Sequence, residues 1–243
     1  MGRLIALAVV LAPLLGAAAS DKVAAEIDAK ILRDAIRNNH SRTLERALVS
    51  PELLGVIADD GKTMLMAAAA DDNTGLLSML LDAGADPDDV NDRGGTALMY
   101  AAANGAPGCV RLLLESGADI DARADNGWTA VTLASAKGHL DVVALLLGRG
   151  ADPNVPDVFG WTPLMRAVQN HRLDVVRELL HSPLVDAERI NSQGRNALHV
   201  AMEYGFCDIA RALSKAGIDP QSQDFGNRTA VELAPGNDDC LSD

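Results

Sequence analysis

The sequence has 243 residues, of which 48% are hydrophobic and only 3% aromatic, and its formal net charge is −13. This apolar content is sufficient for a sizeable core and excludes a chain that is disordered throughout, while the shortage of aromatic residues favours closely packed helices over a β-sandwich. Because so acidic a surface repels phosphate groups, we expect no nucleic-acid partner.

The N-terminus has the three parts of a secretory signal. Arg3 supplies a positive charge, residues 4–16 form an uncharged apolar run, and residues 17–19 are alanines that suit a cleavage site. A membrane span needs about 20 apolar residues, and this run is shorter, although a retained anchor is the alternative. We therefore predict export, with no membrane insertion after cleavage. The alanine-rich composition favours a bacterial source and hence the periplasm; otherwise the protein is secreted.

Two sequence landmarks recur along the rest of the chain. The first is a threonine or asparagine, usually two residues after a glycine, and its copies stand 33 or 34 residues apart at Thr63, Thr96, Thr129, Thr162, Asn196 and Thr229. The second is a glycine 21 residues later, which ends a leucine-rich segment at Gly84, Gly117, Gly150 and Gly217. Two landmarks at fixed spacing in several copies predict an array of similar structural units.

The residue types at these landmarks predict two helices per unit. The threonine or asparagine is a helix N-cap, and the glycine before it suits a turn with positive φ, where Asn227 stands in the last copy. The later glycine predicts a left-handed C-cap for the second helix. In the fourth copy Pro183 interrupts this pattern, so we expect the second helix there to end near Ser182.

With these motifs the chain resembles the ankyrin-repeat family, whose 33-residue unit has the core Gly-x-Thr-Pro-Leu-His-x-Ala. The resemblance covers residues 59 to about 234, although only the copy at Thr162 keeps the proline and only the copy at Asn196 keeps the histidine. It implies an all-α fold, an ankyrin-repeat solenoid of helix-turn-helix units with β-turn fingers that is capped at both ends.

The predicted organisation follows from these boundaries. It comprises a signal peptide over 1–19, a degenerate N-terminal capping repeat over 20–58, ankyrin repeats over 59–91, 92–124, 125–157, 158–190 (with a one-residue insertion) and 191–223, and a partial C-terminal capping repeat with an acidic, frayed tail over 224–243.

The 3 cysteines are too few for a disulfide scaffold. Cys109 and Cys207 lie three repeats apart, and at about 10 Å per repeat that exceeds the ~7 Å Cα separation that a disulfide allows. A disulfide between Cys207 and Cys240 is sterically possible, and unpaired thiols are the alternative.

The sequence has no His-x-x-x-His, Cys-x-x-Cys or Gly-x-Ser-x-Gly motif. We therefore predict no enzymatic activity, no cofactor and no metal site. An enzyme that uses Glu203, His171 and Arg166 in the groove is one alternative, and a structural component that associates with itself is another.

The resemblance implies that a partner protein binds the finger tips and the exposed face of the first helices. Trp128, Phe159 and Trp161 fall in predicted turns of a chain with few aromatic residues, and tryptophan is enriched at interface centres. The alternative is that these side chains pack on the neighbouring turn. The predicted protein-binding residues are Trp128, Phe159, Trp161, Arg195, Tyr204, Arg93, Lys137, Gln169 and Arg228. We expect a monomer that binds, inhibits or chaperones another protein in the cell envelope.

Overall fold

The computed structural model describes residues 31–32, 34–35, 38, 58, 60–234 and 238–241. The predicted signal peptide, almost all of the predicted N-terminal cap, and Pro235 and Gly236 lie outside these ranges. The chain divides into two compact units, one formed by residues 1–101 and 108–119 and the other by residues 102–107 and 120–243.

The described residues contain helices in pairs and no strand, which confirms the all-α prediction. The α-helices are α1 (Met64–Ala70), α2 (Thr74–Asp82), α3 (Ala97–Asn104), α4 (Pro107–Glu115), α5 (Ala130–Lys137), α6 (Leu140–Gly148), α7 (Pro163–Gln169), α8 (Leu173–His181), α9 (Ala197–Glu203) and α10 (Cys207–Lys215). Short 3₁₀ helices follow at Val231–Leu233 and Asp238–Leu241.

The first helix of each described repeat begins at the predicted cap. The hydroxyl of Thr63 accepts the N–H of Met66 at 3.2 Å, and the side chain of Asn196 accepts the N–H groups of Leu198 and His199 at 3.1 Å. Since the first amides of a helix have no partner within the helix, these side chains stabilise its start, typically by about 1 kcal/mol each.

The predicted backbone conformations at the turns are confirmed. The residue two positions before each cap has positive φ, from 58° at Asn227 to 81° at Gly127, and the glycines after the second helices have φ between 89° and 97°. Helix α8, which lacks such a glycine, ends at His181 with Ser182 as its C-cap, as Pro183 predicted.

Small and branched side chains form the core of each unit. In the first unit Met64 to Ala69 are all buried on α1. In the second unit α5 packs against α7 and α7 against α9, while buried residues one and four positions apart, such as Val175, Val176 and Leu179, form the inner face of α8. This helical spacing is what makes each helix amphipathic, so neither helix of a pair has a core of its own.

The C-terminal segment differs from the prediction. The last copy begins a 3₁₀ helix in place of a full first helix, and residues 238–241, predicted to be frayed, form a second 3₁₀ helix that packs on α10. The physical reason is that Cys240 is buried and disulfide-bonded to Cys207, with their Cα atoms 4.7 Å apart. Cys109 is a free, buried thiol. None of the helices in the described ranges combines the length and apolar character that a membrane span requires.

Candidate functional site

The fingers of the second unit are tight turns, joined one to the next by single backbone hydrogen bonds. The N–H of Asp157 donates to the carbonyl of Trp161 at 3.0 Å and closes one finger. The N–H of Val158 donates to the carbonyl of Asn126 in the preceding finger, and the carbonyl of Phe159 accepts from the following one. These bonds hold the finger tips in a row.

One acceptor side chain organises each of four fingers from within. Asp157 Oδ1 accepts the backbone N–H groups of Phe159 at 2.8 Å and Trp161 at 3.0 Å. The residues that do the same in other fingers are Asn91, Asn191 and Asp224. All four stand five residues before the helix cap. Sequence reasoning missed them, although their recurrence beside the threonine landmark was a usable signal.

Asp157 also anchors a cluster that contains both tryptophans. The guanidinium of Arg166, on α7, lies over both indole rings, 5.1 Å from the ring centroid of Trp128 and 4.7 Å from that of Trp161. Its Nε donates to Asp157 Oδ2 at 3.0 Å, its Nη2 donates to the same oxygen, and Trp128 Nε1 donates there at 3.2 Å. The rings are attracted to the cation, and the cation is paired with a carboxylate that is only 1% exposed, so each member of the cluster is bound to another member.

Exposed apolar side chains stand next to this cluster. Phe159 and Val158, at the tip of the same finger, are each 60% exposed. Phe225, in the last finger and two fingers further along the chain, is 71% exposed. Trp128 and Trp161 are half-buried, so their rings pack on Arg166 and still present part of their surface to solvent.

Arg195, another predicted binding residue, is only 8% exposed. It donates to Asp224 Oδ2 at 3.2 Å through Nε and to Glu203 Oε2 at 2.8 Å through Nη1. The backbone N–H of Arg228, together with the Arg195 guanidinium, holds the pKa of Asp224 well below its usual range. The side chain of Arg228 also donates to this carboxylate but is half exposed, so it remains available at the surface.

The other predicted residues lie in four different places. Gln169 belongs to the tryptophan cluster, because its side-chain oxygen accepts from Arg166 Nη1 at 2.9 Å. Lys137 is exposed at the end of α5, and Tyr204 is 49% exposed at the end of α9. Arg93 is exposed on a finger of the first unit.

The three residues of the enzyme alternative are not bonded to one another. Arg166 is bonded to Asp157, Glu203 to Arg195, and His171 to Asp208. Within the part of the chain that the structure describes, no group of His, Cys, Asp or Glu side chains is arranged to hold a metal ion.

A family model described as ankyrin repeats, in three copies, matches overlapping stretches over residues 32–124, 91–157, 119–188 and 149–224. The chain belongs to the ankyrin-repeat family. Ankyrin repeats are generally modules that bind other proteins, and their fold is typically a non-catalytic scaffold. None of the curated proteins that were compared with the chain matches it.

Among solved structures, the crystal structure of the ankyrin repeat domain of Bcl-3, a unique member of the IkappaB protein family, is similar to this chain with a TM-score of 0.74 and 28% sequence identity. The alignment covers 86% of this chain and 95% of the Bcl-3 chain. The ankyrin-repeat solenoid that the sequence motifs implied is thereby confirmed.

Proposed function

We propose that this ankyrin-repeat chain is a non-catalytic binding module whose partner protein docks on the fingers and first helices of the second unit. The observation that carries the proposal is Phe159, 60% exposed beside the Trp128–Arg166–Trp161 cluster. A large exposed apolar side chain next to tryptophan and arginine has the composition of an interface hot spot.

The cluster suits binding for two physical reasons. Its rings are already held by Arg166 and Asp157, so little side-chain freedom remains to be lost when a partner covers them. The guanidinium already has a carboxylate partner, so an apolar surface can cover it without leaving an unpaired buried charge.

A capture experiment tests this site. Wild type, Phe159→Ala and Leu184→Ala are immobilised and exposed to envelope extract from the producing cell; Leu184 is the matched control because it is 58% exposed. Losing a hot-spot side chain costs about 2 kcal/mol or more, which weakens affinity roughly 30-fold, so Phe159→Ala should lose a protein that the other two retain. Thermal melts should stay close to wild type for both variants. Equal capture by Phe159→Ala would remove this strip from the binding site.

We also propose that the chain is exported and that its partner, which it would hold, inhibit or chaperone, lies in the cell envelope. The three-part N-terminus supports this proposal, as does the disulfide between Cys207 and Cys240, because disulfides persist mainly in oxidising compartments. The intact mass of protein recovered from the envelope is the test. It should correspond to a chain that begins at Ser20, and a mass that retains residues 1–19 would contradict signal cleavage.

A further inference from the structure

The loops that join the two helices of each repeat in the second unit follow one conformation, and one of them carries an unusual residue. Gly105, Gly138 and Gly205 occupy its left-handed position with φ of 68°, 88° and 70°. His171 takes the same position with φ of 55°. A residue with a Cβ is disfavoured there, and side chains that occupy strained positions are often functional.

The next position in these loops also changes its role. His139 Nε2 donates to the carbonyl of Ala103 at 3.0 Å, and Arg172 Nε donates to the carbonyl of Ala136 at 3.5 Å, so each side chain reaches the last turn of the preceding first helix. The equivalent residue of the following repeat is Phe206, which has no side-chain donor. Phe206 therefore makes no hydrogen bond of the kind that His139 and Arg172 make.

Phe206 lies instead in a stack of three nearly parallel rings. Its ring centroid is 4.2 Å from that of His171 and 5.6 Å from that of Tyr204, with interplanar angles of 11° and 16°. Tyr204 is 49% exposed, and the side chain of His171 is half exposed. The stack thus exposes an aromatic surface at the position where the two preceding repeats form a hydrogen bond through His139 and Arg172.

A carboxylate borders this surface. Both oxygens of Asp208 lie within 3.1 Å of His171 Nε2, and the side chain of Asp208 is partly exposed. Elsewhere in the molecule a cation lies over such rings, as Lys62 does over Tyr100. Over residues 60–234 no lysine or arginine of the chain lies over the Tyr204 ring.

We propose that Tyr204, Phe206, His171 and Asp208 form a binding spot for an arginine or lysine side chain of a basic partner protein. The Tyr204 ring supplies the aromatic face and the Asp208 carboxylate supplies the counter-charge, while the chain's net charge of −13 attracts a basic partner. The spot is separate from the finger strip, because about 12 Å of helix α9 separates Tyr204 from the N-cap of that helix.

The test uses a fluorescent peptide of alternating glycine and arginine, and its citrulline counterpart, which keeps the shape and removes the charge. Binding is followed by anisotropy at about 150 mM salt, where long-range attraction is screened. Tyr204→Ala should weaken binding of the arginine peptide at least ~5-fold. Phe225→Ala, which removes a 71% exposed ring without changing the net charge, should leave it unchanged, and the citrulline peptide should not bind.

Phe206→His provides a second variant that restores the donor found at His139. It should fold at least as well as wild type by circular dichroism and still weaken peptide binding, because the ring stack is altered. The proposal is overturned if the arginine peptide does not bind, if the citrulline peptide binds equally, if Tyr204→Ala or Phe206→His binds like wild type, or if Phe225→Ala loses as much. None of these outcomes depends on capture through Phe159, so the two surfaces are tested separately.

Discussion

The carboxylate of Asp157 binds both the backbone of its own finger and the side chains of the tryptophan cluster. Its removal therefore tests both sets of contacts at once. Asp157→Ala removes the acceptor of two backbone N–H groups and the partner of the Arg166 guanidinium, which is largely buried. Removing one member of a buried ion pair typically costs about 3–5 kcal/mol, because the other charge remains buried without compensation.

Asn191 offers a matched control within the same unit. Its Oδ1 accepts the backbone N–H groups of Gln193 at 2.9 Å and Arg195 at 3.1 Å, as Asp157 does in its own finger, but it carries no charge. Asn191→Ala should therefore cost only the unsatisfied amides, about 1–3 kcal/mol. The difference between the two alanine variants measures the ion pair together with the hydrogen bond from Trp128 Nε1 to Asp157 Oδ2.

A double-mutant cycle of Asp157→Asn and Arg166→Met measures the pair directly. Each single substitution leaves one charge buried without a partner, whereas the double variant leaves none, so we expect a coupling free energy of at least ~1.5 kcal/mol. The two tryptophans of the chain both lie in this cluster, so urea unfolding followed by tryptophan fluorescence reports its loss. A coupling free energy below ~0.5 kcal/mol, or equal costs for the two alanine variants, would refute the assigned role of Asp157.

Further predictions concern pH and redox state. The pKa of Asp224 is lowered in the fold, mainly by the hydrogen bond from the Arg228 N–H. The ionised carboxylate therefore stabilises the fold fully above about pH 4, and this contribution is lost as the pH falls further. In Asp224→Asn the urea midpoint should depend less on pH in the acid range than it does in wild type. Burial lowers the pKa of His199, so the unfolded state takes up the proton first and the free energy of unfolding should fall below about pH 6.5, less so in His199→Gln. Burial raises the pKa of the Cys109 thiol to about 12, so iodoacetamide should label no cysteine in the native protein, one after unfolding, and all 3 after reduction. Reduction of the Cys207–Cys240 disulfide, whose cysteines are 33 residues apart, should lower the free energy of unfolding by about 4 kcal/mol in the chain-entropy account, measured by urea unfolding with and without dithiothreitol.

The helix caps and turns were predictable because their physics is local. A threonine such as Thr63 bonds to an amide three residues away, and Gly127 takes positive φ because it lacks a Cβ, so the residue type largely decides the conformation. Ser182 at the end of α8 was predictable for the same reason, since the proline after it stops the helix.

The side-chain pairs were not predictable in this way, because each joins residues from different structural elements. Arg195 was expected at the edge of an exposed strip, but a carboxylate 29 residues further along, Asp224, draws it into a buried pair. Arg166 was considered only as part of an active site, although its partner Asp157 stands nine residues before it. Which partner a long side chain selects depends on how neighbouring fingers align, and the repeat pattern alone does not contain that information.

The prediction for the C-terminal tail was wrong because it considered local sequence and not a long-range contact. Its acidic composition predicts fraying, whereas the disulfide from Cys240 to Cys207 holds it on α10. Composition describes the average tendency of a short segment, and one long-range covalent bond is sufficient to override it.

The residue five positions before the helix cap in each finger varies with the charge of its partners. Among the four fingers that have an acceptor side chain there, it is aspartate where an arginine faces it, as at Asp157 and Asp224, and asparagine where the bonded groups are neutral, as at Asn191. The buried charges of the fingers are therefore neutralised from within, and the exposed side chains at the tip next to the tryptophan cluster are apolar. A partner that covers such a tip removes little uncompensated charge from water, so the apolar free energy of burying Phe159, about 25 cal/mol per Å² covered before the cost of association, is not offset by the desolvation of unpaired charges.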